Sequence, residues 1–202
     1  MKNKKQTAIL ITSIILCVAA IVSVFALALL YTGDSYEVPD YVDRRIISLL
    51  GAARSGRPLE AVRGIVVHYV GNPGTSAQAN RNFFANPTTE VCSHFVIGLE
   101  GEIIQCVPLG ERSAASNDRN RDTISIEVCH PDESGKFNDT TYASLVKLTA
   151  WLCTEFELDT SDVIRHYDVT GKLCPLYFVE HEDAWESFKS DLSAEISRSA
   201  SK

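Results

Sequence analysis

Positive charge is scarce in this chain: 19 Lys and Arg stand against 26 Asp and Glu, a formal net charge of −7. Binding along a phosphate backbone needs clustered basic side chains, so this balance argues against nucleic acid as a partner. No H-E-x-x-H segment occurs, so no single helix supplies the paired histidines of that zinc peptidase class. Internal repeats and low-complexity stretches are absent as well. Histidine is sparse, with five in 202 residues. That length suits one domain with a well-buried core and is too short for two large ones.

Charge is missing most completely near the N-terminus. After Met-Lys-Asn-Lys-Lys, the stretch from Ala8 to Tyr31 is apolar and almost uncharged. It approaches the ~20 residues needed to cross a bilayer as a helix. Lys2, Lys4 and Lys5 predict a cytoplasmic N-terminus, with the rest of the chain outside. The expectation is a signal anchor over residues 1–31, a linker over 32–39 and a working domain over 40–202. The alternative is a cleaved signal peptide. Ala26-Leu27-Ala28 resembles a cleavage site, but it lies inside an apolar stretch longer than the usual 7–15 residues. Either reading places the working domain outside the cytoplasm, as a single-pass membrane protein or as a secreted one.

Six cysteines remain to be placed. Cys17 falls in the anchor and Cys174 in a metal-type motif. Cys92, Cys106, Cys129 and Cys153 are open between two disulfide bridges and buried free thiols.

Hydrophobic patterning predicts a mixed α/β domain with one central sheet flanked by helices. Val42, Ile46, Leu49 and Leu50 have helical spacing after Asp40. Gly64 to Val70 is a β-branched strand, and Ser76 caps a helix that Asn86-Pro87 stops. His94–Gly98 and Glu102–Val107 form a hairpin around Leu99-Glu100-Gly101. Thr123–Cys129 is another strand. Tyr142, Leu145, Val146, Thr149, Leu152, Cys153 and Phe156 make an amphipathic helix. Val163–His166 is a short strand, and Trp185, Phe188 and Leu192 mark a final helix.

The chemistry concentrates in two places. I-V-V-H ends at His68, and R-H-Y-D-V-T-G-K-L-C-P holds His166 and Cys174. Two imidazoles and one thiolate are zinc ligands, and three protein ligands leave a fourth tetrahedral position for water. An incomplete protein shell distinguishes a hydrolytic zinc from a structural one. Asn117, in a polar loop before Thr123, is a candidate for lining the groove. His130 and His181 read as structural or solvent-facing.

V-V-H-Y, S-H-F-V-I-G-L-E-G-E-I, T-I-S-I-E-V-C and R-H-Y-D-V-T-G-K-L-C-P occur in that order. Together they resemble the zinc-dependent N-acetylmuramoyl-L-alanine amidases, the superfamily of phage lysozyme-type amidases and peptidoglycan recognition proteins. The resemblance runs from about Gly64 to the final helix. It implies Zn²⁺ held by His68, His166 and Cys174, with Lys172 stabilising the transition state and Glu127 as acid/base. It further implies hydrolysis of the amide between N-acetylmuramic acid and L-alanine of the peptidoglycan stem peptide. A monomer is expected. His94 matches a histidine of many relatives and either touches substrate or belongs to the core. Asp168 either bonds a ligand histidine or caps the turn into Gly171.

Those residue types suit amide hydrolysis independently. Zinc lowers the pKa of bound water, a carboxylate relays the proton, and a cation meets the developing oxyanion. Two departures stand out: Ser93 replaces a tyrosine common among relatives, and Ala114-Ala115 replaces an aromatic-histidine pair. The leading expectation is a peptidoglycan amidase anchored in the membrane. The alternative is a non-catalytic peptidoglycan-binding module, against which retention of Cys174 counts. A zinc peptidase of other specificity ranks last.

Overall fold

Short β-branched runs separated by Gly, Pro and Asn signals fold into the sheet their alternation predicts. The computed structural model describes residues 2–30 and 36–200. It divides into two compact units, residues 1–35 and 36–202.

The first unit is helix α1 (Lys2–Leu30), and the apolar side chains described in it, from Ile9 to Val22, are exposed. Among the described residues no helix is long and apolar enough to cross a membrane. The expected spanning helix therefore gains no support from the described residues. The side chains of Lys2, Lys4, Lys5 and Ala26-Leu27-Ala28, Tyr31 of the expected anchor and residues 32–35 of the expected linker lie outside the described residues.

The second unit is built on a six-stranded mixed sheet in the order β1-β4-β3-β5-β2-β6. Its strands are β1 (Val42–Arg44), β2 (Ile65–Tyr69), β3 (Phe95–Ile97), β4 (Ile103–Gln105), β5 (Ile124–Val128) and β6 (Val163–Arg165). Only β3 and β4 pair antiparallel, with Phe95 opposite Gln105 and Ile97 opposite Ile103. This is the hairpin expected around Leu99-Glu100-Gly101. Gly101 turns the chain at φ +81°, where a Cβ would come within 2.8 Å of Thr140 Cγ2. Glycine is the residue that fits such a turn.

Side chains alternate across the sheet and feed two cores. Ile65, Val67, Ile124, Ile126 and Val128 pack beneath helices α3 (Asp139–Glu155), α5 (Leu176–Glu180) and α6 (Glu182–Ala200). Leu145, Leu148, Leu152, Phe178, Phe188 and Leu192 fill that layer. Each such aliphatic or aromatic side chain contributes about 1.5–3 kcal/mol on burial. Val96, Ile104 and Cys106 face the other way, onto Ala77 and Phe84 of α2 (Ala77–Phe84). Ser76 caps α2 by accepting from the Ala79 amide at 3.2 Å. Asn138 does the same for α3, accepting from Thr141 at 2.8 Å. The mixed α/β architecture matches the expectation.

One segment departs from its pattern. The stretch from Asp40 to Leu50 has helical spacing, yet Val42–Arg44 pairs with Ile103–Gln105 as an edge strand. Leu49 and Leu50 stay exposed, whereas Ile47 is buried in the second core. The free edge of β4 offered a backbone ladder, and that tertiary pairing overrode the local spacing. Cys92, Cys106, Cys129 and Cys153 are buried free thiols.

Candidate metal centre

The parallel ladder between β2 and β5 places His68 directly opposite Glu127. Paired residues on adjacent strands project to the same face, so both side chains leave the sheet away from the α3–α6 layer. Beyond β6 the chain enters a short helix, α4 (His166–Thr170), which ends at Gly171 in the left-handed conformation at φ +77°. The Gly171 amide bonds the Tyr167 carbonyl at 2.7 Å, a helix C-cap that a side chain would strain. The chain from Gly171 then returns, and the Tyr167 amide donates to the Cys174 carbonyl at 2.9 Å. This closure brings His166 and Cys174 back beside His68.

One ligand atom from each of His68, His166 and Cys174 lies within 4.8 Å of the other two. His68 Nδ1 is 3.8 Å from Cys174 Sγ, and the two imidazole centroids are 4.5 Å apart. All three residues are buried. Burial is the main force on their protons. It drives His68 well below the ordinary imidazole value, reinforced by His166 and Lys172. His166 is lowered by burial and by Lys172. The Cys174 thiol is pushed up to about 12, first by burial and then by Glu127, although the Tyr69 amide donates to it. Imidazoles are therefore held neutral with free lone pairs, as metal ligands must be.

Glu127 is half-buried, but its Oε2 is enclosed and lacks a hydrogen-bond partner. Burial raises its carboxyl to about 8, and Lys172 opposes that rise. Lys172 is exposed and lines the same cavity, about 710 Å³, with His68, Glu127, Asn117, His166 and Cys174. The sequence-predicted ligands, the carboxylate and the lysine thus share one groove. The donor set fits zinc: two nitrogens, one sulfur and an open side.

The remaining expectations divide. His94 is wholly buried and absent from the groove. Its Nδ1 accepts from the Ser125 amide at 3.0 Å, and its Nε2 donates to the Glu111 carbonyl at 2.8 Å. Both nitrogens are spent on the core, and burial lowers its pKa to about 4; no substrate contact is left for it. Asn117 does line the groove, but its Oδ1 faces His166 Nε2 at 2.9 Å. Asp168 turns from the ligands to Arg165, accepting from its amide at 2.8 Å and its guanidinium at 3.0 Å. It caps the start of α4, not the turn into Gly171. Ser116 was not singled out by sequence reasoning, yet its Oγ sits 3.0 Å from His68 Nε2. A lone serine in a polar loop carries no periodic signal, so only the folded arrangement reveals it.

A mixed α/β sheet presenting an open His-His-Cys cluster beside a carboxylate defines a class of metal-site hydrolase domain. The chain belongs to the N-acetylmuramoyl-L-alanine amidase family, whose model matches residues 58–176. N-acetylmuramoyl-L-alanine amidase BlyA of Bacillus subtilis (strain 168) is 30% identical over 165 residues, covering 71% of this chain and 44% of BlyA. N-acetylmuramoyl-L-alanine amidase CwlL of Bacillus licheniformis is 28% identical, covering 70% and 43%. This chain therefore spans less than half the length of these curated relatives. The solved catalytic domain of XlyA is 29% identical with a TM-score of 0.66, covering 75% of this chain and 98% of that domain.

Proposed function

We propose that this protein hydrolyses the amide joining N-acetylmuramic acid to L-alanine of the peptidoglycan stem peptide. The observation that carries the reading is the His68–His166–Cys174 cluster, open to a groove that also holds Glu127 and Lys172. His68, His166 and Cys174 would hold Zn²⁺, which supplies a Lewis acid and an acidified water when bound. Glu127, across the ladder from His68, takes a proton from the attacking water and returns it to the leaving amine. An enclosed carboxyl titrating near neutrality is suited to that relay. Lys172 brings positive charge to the groove wall where the carbonyl oxygen becomes an oxyanion.

The apolar stretch from Ala8 to Tyr31 serves, in this reading, as a membrane anchor that keeps the domain beside the wall from outside the cell. Exposed Ile9, Leu10, Ile14, Ile15, Leu16 and Val18 of α1 support it. Anchoring, the extracytoplasmic location and a monomeric state belong to the proposal.

The test is incubation of the protein with purified muropeptides, with and without chelator, and mass analysis of the products. Free stem peptide and intact N-acetylmuramic acid are expected. Both chelation and Glu127→Ala should abolish them. Binding without cleavage would establish a recognition module in place of an enzyme, and cuts within the peptide would establish a peptidase.

A further inference from the structure

Each histidine of the cluster has a second ring nitrogen, and one short loop meets both. His68 Nε2 is 3.0 Å from Ser116 Oγ, and His166 Nε2 is 2.9 Å from Asn117 Oδ1. These partners are consecutive in sequence, although the two histidines lie 98 positions apart. The loop is itself fastened. Asn120 Oδ1 accepts from the Ala115 amide at 3.0 Å and the Ser116 amide at 2.7 Å. Asn117 then takes the left-handed conformation at φ +52°, at the start of a 3₁₀ turn over Asn117–Arg121. Non-glycine residues reach that region at a cost, and asparagine reaches it more readily than most.

We propose that Ser116 and Asn117 are positioning residues that fix the ring orientation and tautomer of both histidine ligands. This rests on the zinc reading above. The chemistry of the two partners differs. A carboxamide oxygen only accepts, so Asn117 selects the form of His166 protonated on Nε2, which leaves the ring lone pair on Nδ1. A hydroxyl donates or accepts, so Ser116 permits the same state at His68 without imposing it. Neutral imidazole has one N–H and one lone pair, and a cation needs the lone pair turned inward. Acceptors on the outer nitrogen of a ligand histidine commonly set this orientation, and their loss weakens metal binding about 10–100-fold.

Zinc affinity of the full-length protein, measured by competition with a chelating dye, tests the assignment. Asn117→Gly keeps the left-handed backbone and removes only the carboxamide, so unfolding does not confound it. A 10–100-fold loss of zinc affinity is expected for Asn117→Gly, and a smaller loss for Ser116→Ala. Asn117→Asp, which still accepts, should stay within a few-fold of the parent. Histidine ring ¹⁵N spectra of the metal-free protein should show His166 as the pure Nε2–H form, and a tautomer mixture in Asn117→Gly. Unchanged affinity and an unchanged tautomer in Asn117→Gly would overturn the inference. If the parent protein binds zinc no better than a His68→Ala, Cys174→Ala double variant, the zinc reading itself fails, and the inference falls with it for that distinct reason.

Discussion

Replacing Glu127 by glutamine should make the metal-free protein more stable, and increasingly so as pH rises. The enclosed carboxyl titrates near 8 in the folded chain, against an ordinary value of 4.5. Between those two values the folded state keeps a proton that the unfolded state has released, so stability falls as pH rises. The cost is absent below 4.5 and complete above 8. At 1.36 kcal/mol per decade the gap corresponds to ~5 kcal/mol. Glu127 also borders an open groove, where solvent screens part of that cost and leaves on the order of 2–3 kcal/mol. A chain of this size responds by about 2–4 °C in Tm per kcal/mol. Thermal melts in chelator from pH 4.5 to 8.5 should therefore show Glu127→Gln and parent together at the acid end. Near pH 8.5 the variant should melt roughly 5–10 °C higher. Titrations of His68, His166 and Cys174 occur in both proteins and largely cancel in the difference. Added zinc should shrink the gap, because a cation beside the carboxylate stabilises its charged form. Parallel profiles across the range would refute the claim that burial controls this carboxyl.

Two further outcomes test other parts of the structure. Lys172→Met should lower kcat on muropeptides by about 10²–10³ with little change in KM, as measured by initial rates of peptide release, because its charge acts where the oxyanion forms. Phe188→Ala should cost about 3–5 kcal/mol in denaturant unfolding, since Phe188 is wholly buried between Phe178 and Trp185, with ring centroids at 5.5 and 5.3 Å.

What sequence disclosed follows from the range of each signal. β2 and β5 were legible because β-branched runs report their own burial, and α2 and α3 because caps and period coincide. The His68, His166 and Cys174 cluster was legible from ligand chemistry and the G-K-L-C-P turn. Short-range reading failed where distant partners decide. The Asp40–Leu50 segment became a strand because β4 had a free edge. Helices α4 and α5, five residues each, are too short to show a period. His94 matched a family position, but its surroundings, Ser125 and the Glu111 carbonyl, come from segments that only folding brings together. Asp168 bonds within its own turn, a choice that spacing alone did not settle between alternatives.

Because His68 and Glu127 face each other across one rung of a parallel ladder, the distance between them is inherited from the ~4.8 Å repeat of the backbone. The loop bordering the groove from Ala85 to Val91 can lengthen, shorten or change polarity without retuning that pair. A sliding error of one residue between the strands would instead send one partner to the opposite side of the sheet. Recognition is thus free to drift at the rim while the reactive spacing stays locked into main-chain geometry.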